Sequence, residues 1–180
     1  MRGTLFLVVG PSGVGKDTLI AAGARARPDL FVPRRVVTRS DTAGGEEIDS
    51  VDPREFEDME RAGAFALSWR AHGLAYGIPA ELDAALSAGR DALVNVSRGV
   101  VDAARARFAP VRVIAITAEP GVLADRLAAR DREDAGEIEA RLVRSGLALP
   151  EGPDVTLIRN DAGLAAAEAA LIAATQPRRG

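Results

Sequence analysis

Residues 10–18 read Gly10-Pro11-Ser12-Gly13-Val14-Gly15-Lys16-Asp17-Thr18. The pattern G-x-x-x-x-G-K is complete. It follows an apolar run, Leu5–Val9, and opens a stretch of helical character, the context in which such a loop cradles phosphate. Its glycines permit a tight turn and bring backbone N–H groups onto oxygens. The helix that follows adds the partial positive charge of its N-terminus. Lys16 is placed to reach the β- and γ-phosphates of ATP. It is the single lysine of the chain; the rest of its 23 basic residues are arginine. A GC-rich coding bias accounts for the arginines, yet it spares the one position where a compact ammonium meets phosphate.

One position departs from the pattern. The residue after the lysine is ordinarily Ser or Thr, whose hydroxyl binds Mg²⁺; here it is Asp17, followed by Thr18. Two readings stand side by side. Asp17 and Thr18 are metal ligands, since a carboxylate holds Mg²⁺ directly or through water, or Asp17 only caps the helix and favours its positive end.

The elements that must position this loop alternate along the chain. Leu5–Val9 reads as a strand buried on both faces, and Asp91–Val96, Val111–Thr117 and Val155–Arg159 as further strands. Phe31–Thr38 is β-like, and Ala64–Trp69 and Leu74–Gly77 are short strand candidates. Helices are expected over Asp17–Arg27, from the Asp52-Pro53 cap to Ala62, and over Pro79–Ala88, Val100–Phe108, Glu119–Ala129, Glu137–Ser145 and Ala162–Ala174. Ser40–Val51 reads as a loop and Arg130–Gly136 as a charged segment. This is an α/β chain with a parallel sheet covered by helices. Residues 35–79 break the alternation and read as an inserted substrate-binding region. His72 reads as a loop residue and Trp69 as core packing.

At 180 residues the chain suits one domain. A hydrophobic share of 47% supplies a core. A net charge of −3 and a pI near 5.3 argue against nucleic acid as a partner. The absence of cysteine excludes disulfides and thiolate metal sites. No run of about 18 apolar residues marks a membrane span. The expectation is a cytoplasmic enzyme with a small-molecule substrate, a monomer or homodimer.

The chain resembles the guanylate-kinase-like branch of the nucleoside monophosphate kinases. The resemblance is carried by Gly10-Pro11-Ser12-Gly13, Val37-Thr38-Arg39, Gly44–Glu46, Gly73 to Tyr76-Gly77, Gly89-Arg90-Asp91, Arg126-Leu127-x-x-Arg130, Ile138 to Arg141-Leu142, and Asn160-Asp161. It implies a five-stranded parallel core, a substrate region and an arginine-bearing lid at about residues 130–141. Within that branch the chain is most similar to the ribose 1,5-bisphosphate phosphokinases of phosphonate degradation. Gly15-Lys16-Asp17-Thr18, Ala66-Leu67-Ser68-Trp69, His72-Gly73-Leu74-x-Tyr76-Gly77 and Leu93-Val94-Asn95-x-Ser97-Arg98 carry that likeness. The implied reaction uses ATP and Mg²⁺ to convert α-D-ribose 1,5-bisphosphate to 5-phospho-α-D-ribose 1-diphosphate, which also feeds nucleotide and NAD synthesis. A guanylate kinase with altered base contacts, another small-molecule P-loop kinase and a non-catalytic guanylate-kinase-like binding module are the alternatives; the intact loop disfavours the last.

The resemblance also assigns residues. Lys16, Arg130 and Arg141 carry catalysis. Arg126 faces the ATP phosphates and Asn160 lies near the adenine. Arg39 and Tyr76 hold the acceptor phosphate. Leu67 stands where guanylate kinases place a base-reading glutamate, and Ser97 at or near their aspartate. The family's arginine three residues beyond Arg39 is Thr42 here. Arg98, beside Ser97, is the expected replacement cation for the substrate's second phosphate. Arg144 belongs to the charged surface, and for Arg132 both the lid and the surface reading stay open.

Overall fold

Strand β1, Leu5–Val9, is buried throughout. Alternation of side chains divides it between two faces. Leu5, Leu7 and Val9 enter one hydrophobic cluster, and Phe6 and Val8 another. This is why the strand reads as continuously apolar. The computed structural model describes residues 1–39, 48–128, 149–161 and 163–176.

Strand β1 pairs in parallel with β6 (Ala92–Asn95) on one side and β7 (Val111–Thr117) on the other. Strand β8 (Val155–Arg159) extends the sheet beyond β7, giving the order β6-β1-β7-β8. Helices α1 (Lys16–Ala26) and α6 (Leu164–Ala174) cover the face of Phe6 and Val8 through Leu19, Ile20, Ala167 and Leu171. The opposite face takes α3 (Glu81–Ser87) and α4 (Val101–Arg107), through Leu82, Leu86, Val101 and Ala104. A short 3₁₀ turn, Arg98–Val100, links β6 to α4.

The resemblance implies five parallel strands; among the described residues the sheet has four. The fifth place is taken by a single bridge, Phe31 beside Ala92. Pro33, two residues on, has no N–H with which to continue a ladder. The chain instead leaves for a second sheet.

That second sheet has the order β3-β2-β5-β4. Strand β2 (Arg35–Val37) runs parallel to β3 (Ile48–Ser50) and antiparallel to β5 (Leu74–Pro79), which pairs in turn with β4 (Phe65–Ala71). The expected loop over Ser40–Val51 is therefore corrected at its end, where Ile48–Ser50 is a strand; Ser40–Glu47 lie outside the described residues. The β4–β5 turn is His72-Gly73, at φ of 54° and 74°, the sign that a two-residue hairpin turn of right-handed twist requires. Helix α2 (Pro53–Arg61) starts as expected, with Asp52 accepting from the Glu55 N–H at 2.8 Å. Its Phe56 stacks on Phe65 at 4.7 Å and closes one face of the sheet with Val36 and Ala75. On the other face Leu67 and Ile78 join the main core.

Helix α5 (Pro120–Ala128) follows β7. No helix among the described residues is long and apolar enough to cross a membrane.

Two ion-paired joints tie the layers. Arg27, 9% exposed, donates to Asp29, to Asp91 at 3.1 Å and to the Thr175 carbonyl, so it fastens α1 to β6 and α6. Arg105 of α4 holds Asp154, just before β8, with two bonds of 2.9 and 2.8 Å. That guanidinium keeps the Asp154 carboxyl below its usual range. A carboxyl depressed in the folded state stabilises the protein above its unfolded value near 4, and loses that contribution as pH falls through the folded value. Asp154→Asn is therefore expected to lower the melting temperature by about 2–4 °C at pH 7, consistent with about 1 kcal/mol. The deficit should shrink below about pH 4. Calorimetry of both proteins at pH 7 and pH 3.5 checks this, and an equal deficit at the two values refutes it.

Candidate active site

Parallel strands bring their C-terminal ends to one edge of the sheet, which is where ligands gather in such folds. The glycine loop leaves β1 at this edge. Asn95 and Ser97 leave β6 there, and Asn160 leaves β8.

The loop is fixed by its neighbours. Gly13 and Gly15 have φ of 80° and 95°, conformations open to glycine. Gly15 is the N-cap of α1. A Cβ on Gly15 would lie 2.9 Å from the Asn160 side-chain nitrogen, and one on Gly10 would lie 2.4 Å from the Ile116 carbonyl oxygen. Val14 is fully buried and anchors the loop in the core. Lys16 Nζ donates to the Gly10 and Pro11 carbonyls, both at 2.9 Å, so its ammonium is held against the loop. Ser12 and Thr18 are exposed, and Pro11 and Gly13 partly buried.

Asn160 is buried, and its Nδ2 donates to the Val14 carbonyl at 2.8 Å. Its backbone N–H donates to Thr117 at 2.8 Å. The Oδ1 atom is buried without a hydrogen-bond partner among the described residues. The residue expected near the adenine thus clamps the loop from below. Arg126, expected to face the ATP phosphates, donates to the Asn160 carbonyl at 2.9 Å. Asp161 accepts from the Glu119 N–H, the larger cause, and from Arg159, and both hold its carboxyl below the usual range. It caps the start of α5.

Asp17 is exposed in the first turn of α1, and its Oδ1 accepts from Asn95 Nδ2 at 2.9 Å. Sequence reasoning gave Asn95 no role. The signal was present: a polar residue ending the buried run of β6, itself 8% exposed.

On the second sheet, Arg39 follows β2. Its Nε is buried without a partner among the described residues, while its carbonyl accepts from Ser50 Oγ at 2.6 Å. An orphaned buried donor of this kind fits an anionic ligand. Tyr76 pairs across β5 with Val37 and with Trp69. Its ring stacks on Trp69 at 5.3 Å, and the Arg35 guanidinium lies 5.4 Å from the same ring. Trp69 also packs against the main core. Arg35 was not anticipated. Leu67 is 7% exposed and belongs to the core. Ser97 precedes the 3₁₀ turn and accepts from the Val100 N–H at 3.0 Å; Arg98 begins that turn. Arg130 and Arg141 lie outside the described residues. His72 is exposed at the hairpin turn.

The donor set fits Mg²⁺. The Asp17 carboxylate and the Thr18 hydroxyl are hard oxygen donors that follow Lys16 in the chain, and the described residues hold no cluster of three His, Cys, Asp or Glu side chains. Mg²⁺ sites of that kind use one or two carboxylates and the substrate phosphates rather than a cage of protein ligands.

A family model described as an AAA domain matches residues 5–151. A ribose 1,5-bisphosphate phosphokinase of Ruegeria sp. (strain TM1040) is 49% identical over 167 residues, 92% of this chain and 88% of that protein. Its counterpart of Azotobacter vinelandii is 46% identical over 180 aligned residues, covering 96% and 95%. Among solved structures, guanylate kinase from Anaplasma phagocytophilum has a TM-score of 0.67 at 17% identity, over 97% of this chain and 83% of that one. A gluconokinase from Sinorhizobium meliloti has a TM-score of 0.56 at 17% identity, over 97% and 91%. These two likenesses establish the P-loop kinase fold.

Proposed function

Because the chain belongs to the ribose 1,5-bisphosphate phosphokinase family, we propose that it transfers the γ-phosphoryl group of ATP to the 1-phosphate of α-D-ribose 1,5-bisphosphate. The products are ADP and 5-phospho-α-D-ribose 1-diphosphate. The reaction forms a bond between an acceptor phosphate oxygen and the γ-phosphorus and breaks the bond from that phosphorus to the β–γ bridging oxygen. The acceptor is already an oxyanion, so no general base is required. The exposed position of His72 at a hairpin turn accords with this.

The observation that carries the reading is the pairing of a complete nucleotide loop with an acceptor side in which Leu67, not a carboxylate, stands at the base-reading position. Leu67, standing where guanylate kinases carry a glutamate, lies in the hydrophobic core and accepts no hydrogen bond. A guanine would leave its N1–H and exocyclic amine unpaired, which costs heavily in selectivity. Lys16, held by the loop carbonyls, supplies the charge for the β- and γ-phosphates. The glycine loop and the start of α1 supply N–H groups and a positive dipole. Arg39, with its orphaned Nε, and Tyr76 hold the acceptor phosphate, and Ser97 and Arg98 hold the other end of the sugar. Asp17 and Thr18 would hold Mg²⁺, which when bound would offset the negative charge of the phosphates. Residues 35–79 form the substrate region, Arg130 and Arg141 the lid, and the cytoplasm is the compartment in which ATP and a sugar phosphate meet.

An ADP-release assay with Mg²⁺ tests the reading. Ribose 1,5-bisphosphate is expected to exceed GMP in kcat/KM by about 10³-fold or more. Arg98→Ala is expected to raise the sugar KM about tenfold and leave the ATP KM unchanged. Turnover of GMP at a comparable rate would make the chain a guanylate kinase with altered base contacts. An unchanged sugar KM in the variant would remove Arg98 from the substrate site.

A further inference from the structure

P-loop enzymes hold Mg²⁺ with two groups of defined placement: a hydroxyl from the loop and a carboxylate from the end of a neighbouring strand. In this chain the loop position holds the carboxylate, Asp17, and the end of the adjacent strand β6 holds a neutral amide, Asn95. The two side chains touch, Asn95 Nδ2 donating to Asp17 Oδ1 at 2.9 Å. We propose that the carboxylate and the neutral group have exchanged places, and that Asn95 is the positioning residue that orients Asp17 toward the metal. The inference rests on the kinase reading above and deepens its metal site.

Three features carry it. The total charge of the pair is unchanged by the exchange, one negative charge and one neutral polar group, so the attraction for a divalent cation is retained. Asn95 is buried while Asp17 is exposed. A hydrogen bond from a buried, fixed amide therefore restricts a carboxylate that would otherwise sample several rotamers. Partners that orient a metal ligand in this way ordinarily govern affinity by about 10–100-fold. The plainer role of Asp17, capping α1, is not what the geometry displays. The cap position belongs to Gly15 with no side-chain bond, and the Asp17 oxygen is turned to Asn95.

The test measures binding of Mn²⁺·ADP by electron paramagnetic resonance, and of ADP in EDTA by calorimetry, with no sugar present. Asn95→Ala is expected to weaken Mn²⁺·ADP by about 10–100-fold and to leave metal-free ADP affinity unchanged. Asp17→Ser should weaken it at least as much. The double variant Asp17→Ser/Asn95→Asp, which restores the usual placement, should regain most of the loss. An Asn95→Ala protein that keeps its Mn²⁺·ADP affinity overturns the proposal. So does one that loses ADP equally in EDTA, or a double variant no better than Asp17→Ser. A parent protein that binds no nucleotide at all would overturn the kinase reading itself. Melting temperatures without ligand identify a variant that fails to fold, and the near-isosteric Asn95→Asp then takes its place, with Mn²⁺·ADP affinity unchanged from the parent counting against the exchange.

Discussion

Replacing Lys16 by methionine is expected to lower kcat/KM by about 10³-fold, the loss that follows removal of one preorganised charge from a phosphoryl-transfer site. The side chain keeps its length and most of its packing, so the change is chiefly electrostatic. Lys16 Nζ is held by the Gly10 and Pro11 carbonyls, which places the ammonium at the loop before any nucleotide arrives. Losing it leaves two carbonyls, partly buried, to water, which costs little. The melting temperature should therefore move by only a few degrees. Steady-state kinetics and calorimetry on the same preparation check both halves. A variant with near-parental turnover would mean that another cation serves the β- and γ-phosphates, and Arg126 would be the first to test.

The second large effect is expected at Arg130 and Arg141, the arginines that the resemblance assigns to a lid. Charge spreads over the equatorial oxygens in the transition state, and an arginine there contributes about 10³–10⁵ in rate. Arg130→Ala and Arg141→Ala are each expected to fall within that range in kcat, with ADP affinity changed far less, because the interaction belongs to the transition state. Arg126→Ala is the instructive contrast. One of its guanidinium nitrogens is committed to the Asn160 carbonyl, so its removal should loosen the loop clamp and raise the ATP KM more than it lowers kcat. Measuring kcat and both KM values for the three variants separates the roles. Equal kcat losses of less than tenfold at Arg130 and Arg141 would remove them from catalysis.

Several elements differ from their expected bounds for identifiable reasons. Phe31–Thr38 reads as one β-like run, but Pro33 interrupts it. Phe31 bridges the main sheet and Arg35–Val37 pairs in the second. Pro79, expected to open a helix, instead ends β5 opposite Phe65, and the helix begins at Glu81. Ile48–Ser50 carries no periodic signal of its own. It becomes a strand because β2 offers it a parallel partner. At Pro79 and at Ile48–Ser50 a tertiary partner outweighed local preference.

The site divides along the same line. The phosphate loop is a local object: nine consecutive residues, a strand before and a helix after, so the chain alone specifies it. Local chemistry also made Lys16 stand out, as well as the Asp52-Pro53 helix start and the apolar strands of the core. Why the glycines are needed was only half visible. The requirement at Gly10 comes from the Ile116 carbonyl, and at Gly15 from Asn160. The clamp from Asn160 to Val14 spans 146 residues, and the bond from Asn95 to Asp17 spans 78. Contacts at such separations leave no trace in periodicity or spacing, because nothing local demands them. The sequence by itself determined a loop of the kind that grips a nucleotide's phosphates. Only the packing of β6 and β8 beside β1 decided which side chains hold that grip in place.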